Sequence, residues 1–122
     1  MTNKTTKAAI FKHSQVADWN SIPVETLDNG ALRQMFVGDN LMMCRLVFPP
    51  NLKTPAHEHH HEQMTIVQRG RVLFIIGDEE IIAESGDILR FPPNCRHGAT
   101  MLDEEVELID IFTPIRRDFF EK

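Results

Sequence analysis

The feature of the sequence that most restricts its fold is a regular succession of short apolar segments separated by turn residues. Seven segments have strand character, at residues 32–37, 41–48, 64–69, 71–76, 81–83, 88–91 and 106–113. Turn-forming residues lie between them, for example Gly38-Asp39-Asn40 and Pro92-Pro93-Asn94. No window longer than about ten residues keeps a helical period. The pattern predicts an all-β sandwich or barrel over residues 19–122, preceded by an N-terminal arm at residues 1–18.

The length and charge of the chain restrict its class. With 122 residues it can bury a hydrophobic core without disulfide bonds, and its two cysteines are too few for a secreted disulfide framework. Lysine and arginine number 13 against 18 acidic residues, so a net charge of −5 argues against binding to nucleic acid or an acidic membrane. No apolar run reaches membrane-spanning length, and the opening residues are polar. The sequence therefore predicts a cytoplasmic protein.

Histidine is concentrated in one short segment. Four of the six histidines, His57, His59, His60 and His61, lie within five consecutive residues. A strand sends alternate side chains to the same face, so His57 and His59 are predicted to project together, about 7 Å apart, as half of a metal site. Imidazole-rich sites suit Fe, Mn, Ni, Cu or Zn. The alternative interpretation is a solvated polar loop.

Further ligands must come from other positions, and the sequence offers Gln63 nearby and His97 after a proline turn. The spacing of this set resembles the two motifs of the cupin superfamily, with glutamine where the first motif usually has glutamate. The matching stretches are His57-x-His59, three residues, Gln63, six residues, Gly70, and then Gly86, five residues, Pro92, Asn94, two residues, His97.

The resemblance covers residues 51–116 well and residues 19–50 more loosely. Asn51 and Asn94 stand where the motifs usually have glycine, and Met101 replaces a closing asparagine. Asparagine tolerates the positive φ that a glycine would supply, so we expect both turns to keep their backbone geometry.

The resemblance implies a single-domain cupin β-barrel, which is a double-stranded β-helix or jelly roll, and a homodimer. It also implies one divalent transition metal per chain, either Ni, Zn, Fe or Mn, held by His57, His59, Gln63 and His97. Three imidazoles and one carboxamide are neutral, so the ion would keep its full charge of +2. Such an ion is a stronger Lewis acid and a better anchor for an anionic substrate, which favours redox-neutral chemistry. Alternatively, the glutamine is merely a tolerated substitution.

The neighbours of these positions have different expected roles. Glu62 is the rival of Gln63 as a ligand, but its spacing to Gly70 is off by one residue. We expect His60 to face solvent and His61 to support a ligand or to lie at the rim.

The last predicted strand carries a second group of candidate residues. Asp110 shares its parity with the apolar residues Val106, Leu108 and Phe112. An unpaired carboxylate in such a row is costly, so Asp110 is either paired structurally or faces the cavity as an acid or base. Phe112 would wall the pocket. Arg116 could reach a substrate carboxylate, because guanidinium matches carboxylate bidentately, although a solvated surface position is the more ordinary interpretation of this residue alone.

The histidine segment and the tail at residues 108–119 together resemble a narrower group, the small cupins of pectin and alginate breakdown. These proteins convert 4,5-unsaturated monouronates to their linear keto form. The resemblance implies that Asp110, Phe112 and Arg116 act on a small sugar acid, with Asp110 shuttling a proton from the C1 hydroxyl toward C4. The alternatives are another metal-dependent cupin enzyme, such as a dioxygenase or a lyase, and a non-catalytic cupin that binds a small molecule.

Several other residues have more than one interpretation. Any of the strand arginines Arg33, Arg45 and Arg90 could line the cavity, and parity alone does not choose among them. Cys44 is expected to be inert, whereas Cys95, beside a basic residue, is either reactive or packed. The remaining aromatic candidates are expected in the core or in a dimer interface, namely Trp19, Phe36, Phe48, Phe74 and Phe91.

Overall fold

The computed structural model describes residues 8–10 and 14–120, and these residues are almost entirely β-structure. Two 3-10 helices of three residues each, Trp19–Ser21 and Arg117–Phe119, accompany the strands. The strands are β1 (Ala8–Ile10), β2 (Gln15–Ala17), β3 (Glu25–Thr26), β4 (Leu32–Val37), β5 (Met42–Phe48), β6 (Lys53–His57), β7 (Glu62–Arg69), β8 (Arg71–Ile76), β9 (Glu79–Glu84), β10 (Ile88–Phe91), β11 (His97–Met101) and β12 (Val106–Thr113).

The strands form two principal antiparallel sheets. The larger has the order β10-β7-β12-β5-β4-β3 and the smaller the order β6-β11-β8-β9, while β1 pairs with β2 alone. One hydrophobic core lies between the principal sheets, since buried side chains of both belong to a single cluster that includes Cys44, Val67 and Leu108 on one side and Val72 and Phe74 on the other. This arrangement confirms the predicted all-β jelly roll.

All seven predicted segments contain strands, with small differences at their ends. The second begins at Met42, the third begins at Glu62, and the fifth extends over Glu79–Glu84. The sequence pattern missed β3, β6 and β11, and the last two bring polar residues to the smaller sheet. Pro55 is compatible with β6 because that strand lies at the edge of its sheet.

Both asparagines at motif glycine positions adopt the left-handed backbone conformation, as predicted. The φ angle is 65° at Asn51 and 63° at Asn94. Asn94 also donates its backbone N–H to the carbonyl oxygen of His59 at 2.7 Å. The proline turn is therefore tied to the histidine segment, which brings the two halves of the site together.

Part of the predicted arm forms the small β1–β2 sheet, while residues 1–7 and 11–13, including His13, lie outside the described residues. The boundary of the arm and the homodimer stay predictions. None of the helices in the described part of the chain has the length and apolar character needed to cross a membrane.

Candidate metal centre

Three histidine side chains converge at one end of the space between the sheets. His57 ends β6, His97 begins β11, and the two residues are directly paired across these strands. His59 joins them from the loop after β6, and one potential ligand atom of each ring lies within 4.8 Å of the others. The expectation that His57 and His59 share a strand is wrong, because β6 ends at His57. The loop nevertheless places the rings of His57 and His59 with their centroids 5.6 Å apart.

The hydrogen bonds of the three rings suit them to bind a cation. Nδ1 of His57 contacts the Pro55 carbonyl oxygen at 3.2 Å, Nδ1 of His59 contacts that of His61 at 3.1 Å, and Nδ1 of His97 contacts that of Cys95 at 2.9 Å. A carbonyl oxygen only accepts, so each Nδ1 carries a proton, and in the neutral form of each ring the lone pair is on Nε2. Backbone partners of this kind fix the tautomer and orientation of metal-binding histidines in general.

Burial keeps two of these rings neutral at physiological pH. Loss of solvation lowers the pKa of His59 to about 4, with the positive charge of Arg116 contributing in the same direction. Burial also lowers the pKa of His97, whose ring stacks on that of Phe91 at a centroid distance of 4.6 Å. A neutral imidazole is the form that binds a metal, so the donor set of the three histidines fits a divalent transition metal.

Gln63 faces the same cluster from the opposite sheet. It is buried on β7, and its Oε1 lies 3.2 Å from Nε2 of His59. Its Nε2 donates to Oγ1 of Thr65 at 3.0 Å, and the Thr65 hydroxyl donates to Oδ1 of Asp110 at 2.7 Å. Because the amide nitrogen of Gln63 donates to the Thr65 hydroxyl, the amide oxygen is the atom that points at the histidines. Glu62 is excluded as the rival, because it turns outward to pair with Arg90 at 2.6 Å.

Asp110 lies in the apolar row that its parity predicts, and it is only 7% exposed. Burial raises the pKa of its carboxyl to about 6, although the hydrogen bonds from Thr65 and Gln63 and the charge of Arg116 oppose this rise. Thr65 was not recognised in the sequence. Its parity with Gln63 was visible there, but its position directly opposite Asp110 depends on the pairing of β7 with β12, which are far apart in the chain.

Arg116 is buried rather than solvated, so the surface interpretation is wrong. It is 8% exposed, and its guanidinium carbon lies 5.0 Å from the ring centroid of Phe112 and 4.3 Å from that of Phe119. Asp118, which the sequence analysis did not single out, holds Nε and Nη2 of Arg116 at 3.0 and 2.7 Å. Arg116 and Phe112 both line the cavity, as expected, and the Phe112 ring meets His59 edge-on at a centroid distance of 5.8 Å.

The remaining histidines of the segment take the expected places. His60 is exposed, whereas His61 is buried and packs its ring 5.3 Å from that of His59. His61 supports His59 through its backbone carbonyl, and its own Nδ1 has no hydrogen-bond partner among the residues that the structure describes.

The structure distinguishes the three strand arginines. Arg33 lines a cavity of about 240 Å³ between the sheets, together with His57, His97, Gln63, Asp110 and Arg116. Arg45 and Arg90 instead form ion pairs on the outer face of the larger sheet, with Glu107 at 3.0 Å and Glu62 at 2.6 Å.

The cysteines and other aromatic residues have structural surroundings. Cys44 is buried, and burial raises its pKa to about 12, in agreement with the prediction that it is inert. Cys95 is partly buried. Phe48, Phe74 and Phe91 belong to the core. Trp19 and Phe36 are half-buried and line a separate depression outside the larger sheet.

Comparison with known proteins gives this architecture a family. Residues 44–112 match the cupin domain family Cupin_2, so the chain belongs to the cupins, as the spacing of its motifs predicts. Within that family it resembles the pectin degradation protein KdgF of Dickeya dadantii (strain 3937). The two are 34% identical over 99 residues, which cover 80% of this chain and 90% of that protein.

Solved structures give the same result. A crystal structure of an RmlC-like cupin from Shewanella frigidimarina NCIMB 400 matches with a TM-score of 0.81 and 26% identity, over 94% of this chain and 98% of that one. The structure of KdgF from Halomonas sp. matches with a TM-score of 0.75 and 25% identity, over 80% of this chain and 90% of that one.

Proposed function

We propose that this protein is a metal-dependent enzyme that opens the ring of a 4,5-unsaturated monouronate and yields its linear keto form. The observation that carries the proposal is the hydrogen-bonded chain from Gln63 through Thr65 to Asp110. It links the candidate metal centre to a buried carboxyl group in the cavity that Arg116 also lines. Similarity to pectin degradation proteins supports a sugar acid as the substrate.

The proposed ligands are Nε2 of His57, His59 and His97 and Oε1 of Gln63. Imidazole and carboxamide are neutral ligands, so the four side chains would hold a divalent ion without reducing its charge. When bound, such an ion would supply Lewis acidity toward the oxygens of an anionic substrate. Nickel, zinc, iron and manganese all suit this donor set.

The residues of the chain then have defined tasks. Asp110 takes the proton from the C1 hydroxyl of the cyclic hemiacetal as the bond between C1 and the ring oxygen breaks. The ring oxygen leaves as the enolate oxygen on C5, and return of the proton from Asp110 to C4 converts this enolate to the ketone. No oxidant or reductant enters, because the product is an isomer of the substrate. A carboxyl group whose pKa is near 6 both accepts and donates a proton at neutral pH.

Two other side chains support this transfer, one by binding the substrate and one by excluding water. Nη1 of Arg116 has no hydrogen-bond partner among the described residues, so it is available to a substrate oxygen. Phe112 is 2% exposed and lies between the guanidinium and His59, where it excludes water from the proton path.

The proposal is tested by following the ultraviolet absorbance of the conjugated enol ether after adding metal-loaded protein to a 4,5-unsaturated monouronate. We expect the absorbance to decay without oxygen uptake and Asp110→Asn to reduce the rate at least 100-fold with unchanged metal content, in line with the usual contribution of a general acid–base. Asp78→Asn, at an exposed turn, is the matched control. Oxygen consumption, or undiminished turnover by Asp110→Asn, would contradict the proposal.

A further inference from the structure

Arg33 is a second cation in the cavity. It projects from β4, two strands away from Asp110 on β12 in the larger sheet, and its side chain is only 11% exposed. Its guanidinium carbon lies 4.3 Å from the ring centroid of Phe119, and that of Arg116 lies 4.3 Å from the same centroid. Two guanidinium groups therefore share one aromatic ring beside the cavity that both of them line.

The two guanidinium groups differ in the nitrogens that they leave free. Asp118 takes both Nε and Nη2 of Arg116, so only Nη1 remains for another partner. Glu25 takes Nε of Arg33 at 2.8 Å, and Nη2 of Arg33 makes only a long contact of 3.4 Å to the carbonyl oxygen of Phe119. No partner of Nη1 of Arg33 is found among the described residues. Arg33 thus keeps the two terminal nitrogens that can bind the two oxygens of one carboxylate.

The charges around the cavity favour an anion at this position. Each arginine has one carboxylate partner, and both of these partners are partly exposed, with 39% of the Glu25 side chain and 53% of the Asp118 side chain accessible. Exposed partners are screened by water and compensate a buried cation incompletely. A carboxylate beside Arg33 would be shielded by Phe119 and would reduce the repulsion between the two guanidinium groups.

We propose that Arg33 is the specificity-determining residue that binds the carboxylate of the substrate through its Nη1 and Nη2, while Arg116 contacts a ring or hydroxyl oxygen through Nη1. The ligand class is a monomeric sugar acid, and this assignment rests on the proposed function. Glu25 orients Arg33 through Nε and does not contact the ligand.

The test measures binding of galacturonate and of its uncharged methyl ester by calorimetry, using zinc-loaded protein at equal occupancy. Arg33→Gln is expected to weaken galacturonate binding at least tenfold and to change methyl ester binding less than twofold, because charge-assisted hydrogen bonds are lost. Arg33→Lys, which keeps the charge without the fork, is expected to fall between the wild type and Arg33→Gln. It also provides a second variant should Arg33→Gln unfold.

Two further variants separate binding from a structural role. Glu25→Gln breaks the same ion pair but keeps the guanidinium, so it is expected to bind galacturonate at least as tightly as the wild type. Arg45→Gln is the matched control, because Arg45 makes a similar ion pair with Glu107 on the outer face of the same sheet. In turnover of the unsaturated uronate, Arg33→Gln is expected to raise KM at least tenfold and to change kcat little.

Equal losses for the acid and the ester, or equal losses in Arg33→Gln and Glu25→Gln, would overturn the assignment of Arg33. The proposed function fails separately. If the wild type binds galacturonate with the expected dependence on Arg33 but leaves an unsaturated uronate unchanged, the ring-opening activity is wrong and the carboxylate site stands. If the wild type binds neither compound, both proposals are wrong.

Discussion

Replacing Asp110 with asparagine is expected to remove a pH-dependent cost to the stability of the metal-free protein. Burial raises the pKa of Asp110 to about 6 from its ordinary value of 3.8. A difference of about 2 pKa units corresponds to about 3 kcal/mol at 1.36 kcal/mol per unit. Asparagine does not ionise, yet its amide oxygen still accepts the Thr65 hydroxyl. The variant should therefore escape a penalty that the wild type carries above pH 6.

The sign follows from the proton affinity of each state. Folded Asp110 binds its proton more tightly than the unfolded chain does, so its contribution to stability is full below pH 3.8 and is lost as the pH rises through 6. Buried histidines act in the opposite direction. Burial lowers the pKa of His59 to about 4 and also lowers that of His97. The folded protein therefore loses stability as the pH falls below 6.5, because the unfolded chain then binds protons that the buried rings do not. They are present in both proteins, and their effect cancels in the difference.

The assay is urea unfolding of both proteins between pH 3.5 and pH 8, with a chelator present because a bound cation would lower the pKa of Asp110. The variant is expected to gain about 3 kcal/mol relative to the wild type between pH 4 and pH 7. An unsatisfied amide N–H would cost the variant about 1–3 kcal/mol at every pH and would leave the slope unchanged. Asp78→Asn, at an exposed turn, should give a flat difference. Parallel curves for Asp110→Asn and the wild type would refute the reasoning.

Two further substitutions test the surroundings of the site, and a pair of glycine substitutions tests the turns of the fold. Gln63→Glu would place a second carboxylate within about 6 Å of Asp110, so urea unfolding of the metal-free protein at pH 8 should show a loss of about 3 kcal/mol that diminishes on acidification. Asp118→Asn should raise KM by freeing the guanidinium of Arg116, yet cost less than about 1 kcal/mol of unfolding free energy, because Asp118 is partly exposed. Gly70→Ala should cost more than about 2 kcal/mol of unfolding free energy, because its Cβ would lie 2.6 Å from the Glu105 carbonyl oxygen. Gly77→Ala, with φ of 62° and open space around it, should cost about 1 kcal/mol in the same urea unfolding measurement.

The fold was predictable where apolar alternation reports burial, and it was missed where polar residues serve the site. β5 and β12 carry long apolar runs because they lie next to each other in the interior of the larger sheet. β6 ends in a histidine and β11 begins with one, so their composition reflects the cluster at that end of the smaller sheet as well as the core, to which Met101 of β11 belongs. Alternation of apolar and polar residues does not reveal a strand whose side chains serve the site.

The candidate site was also predictable only in part from the sequence. Spacing and parity in the sequence predict His57, His59, Gln63, His97 and Asp110 as candidates, while the ligand set and the role of Asp110 follow from the resemblance to the cupin motifs. The choice among the strand arginines needed the neighbouring strands, because Arg45 lies in β5, whose two faces are both largely apolar. The bidentate contact of Asp118 with Arg116 depends on how the chain turns after β12, and no sequence period describes that turn.

Thr65 explains why glutamine and not glutamate fits position 63. A threonine hydroxyl has one proton to donate, and Asp110 receives it, so the neighbour on the other side must donate to the hydroxyl oxygen. An amide can donate, but an ionised carboxylate cannot. The need to hold Asp110 therefore selects a neutral side chain at position 63, and the same choice leaves a bound divalent ion with its full charge. One hydrogen-bonded chain consequently links the charge of the proposed metal centre to Asp110, whose pKa these hydrogen bonds lower against the larger effect of burial.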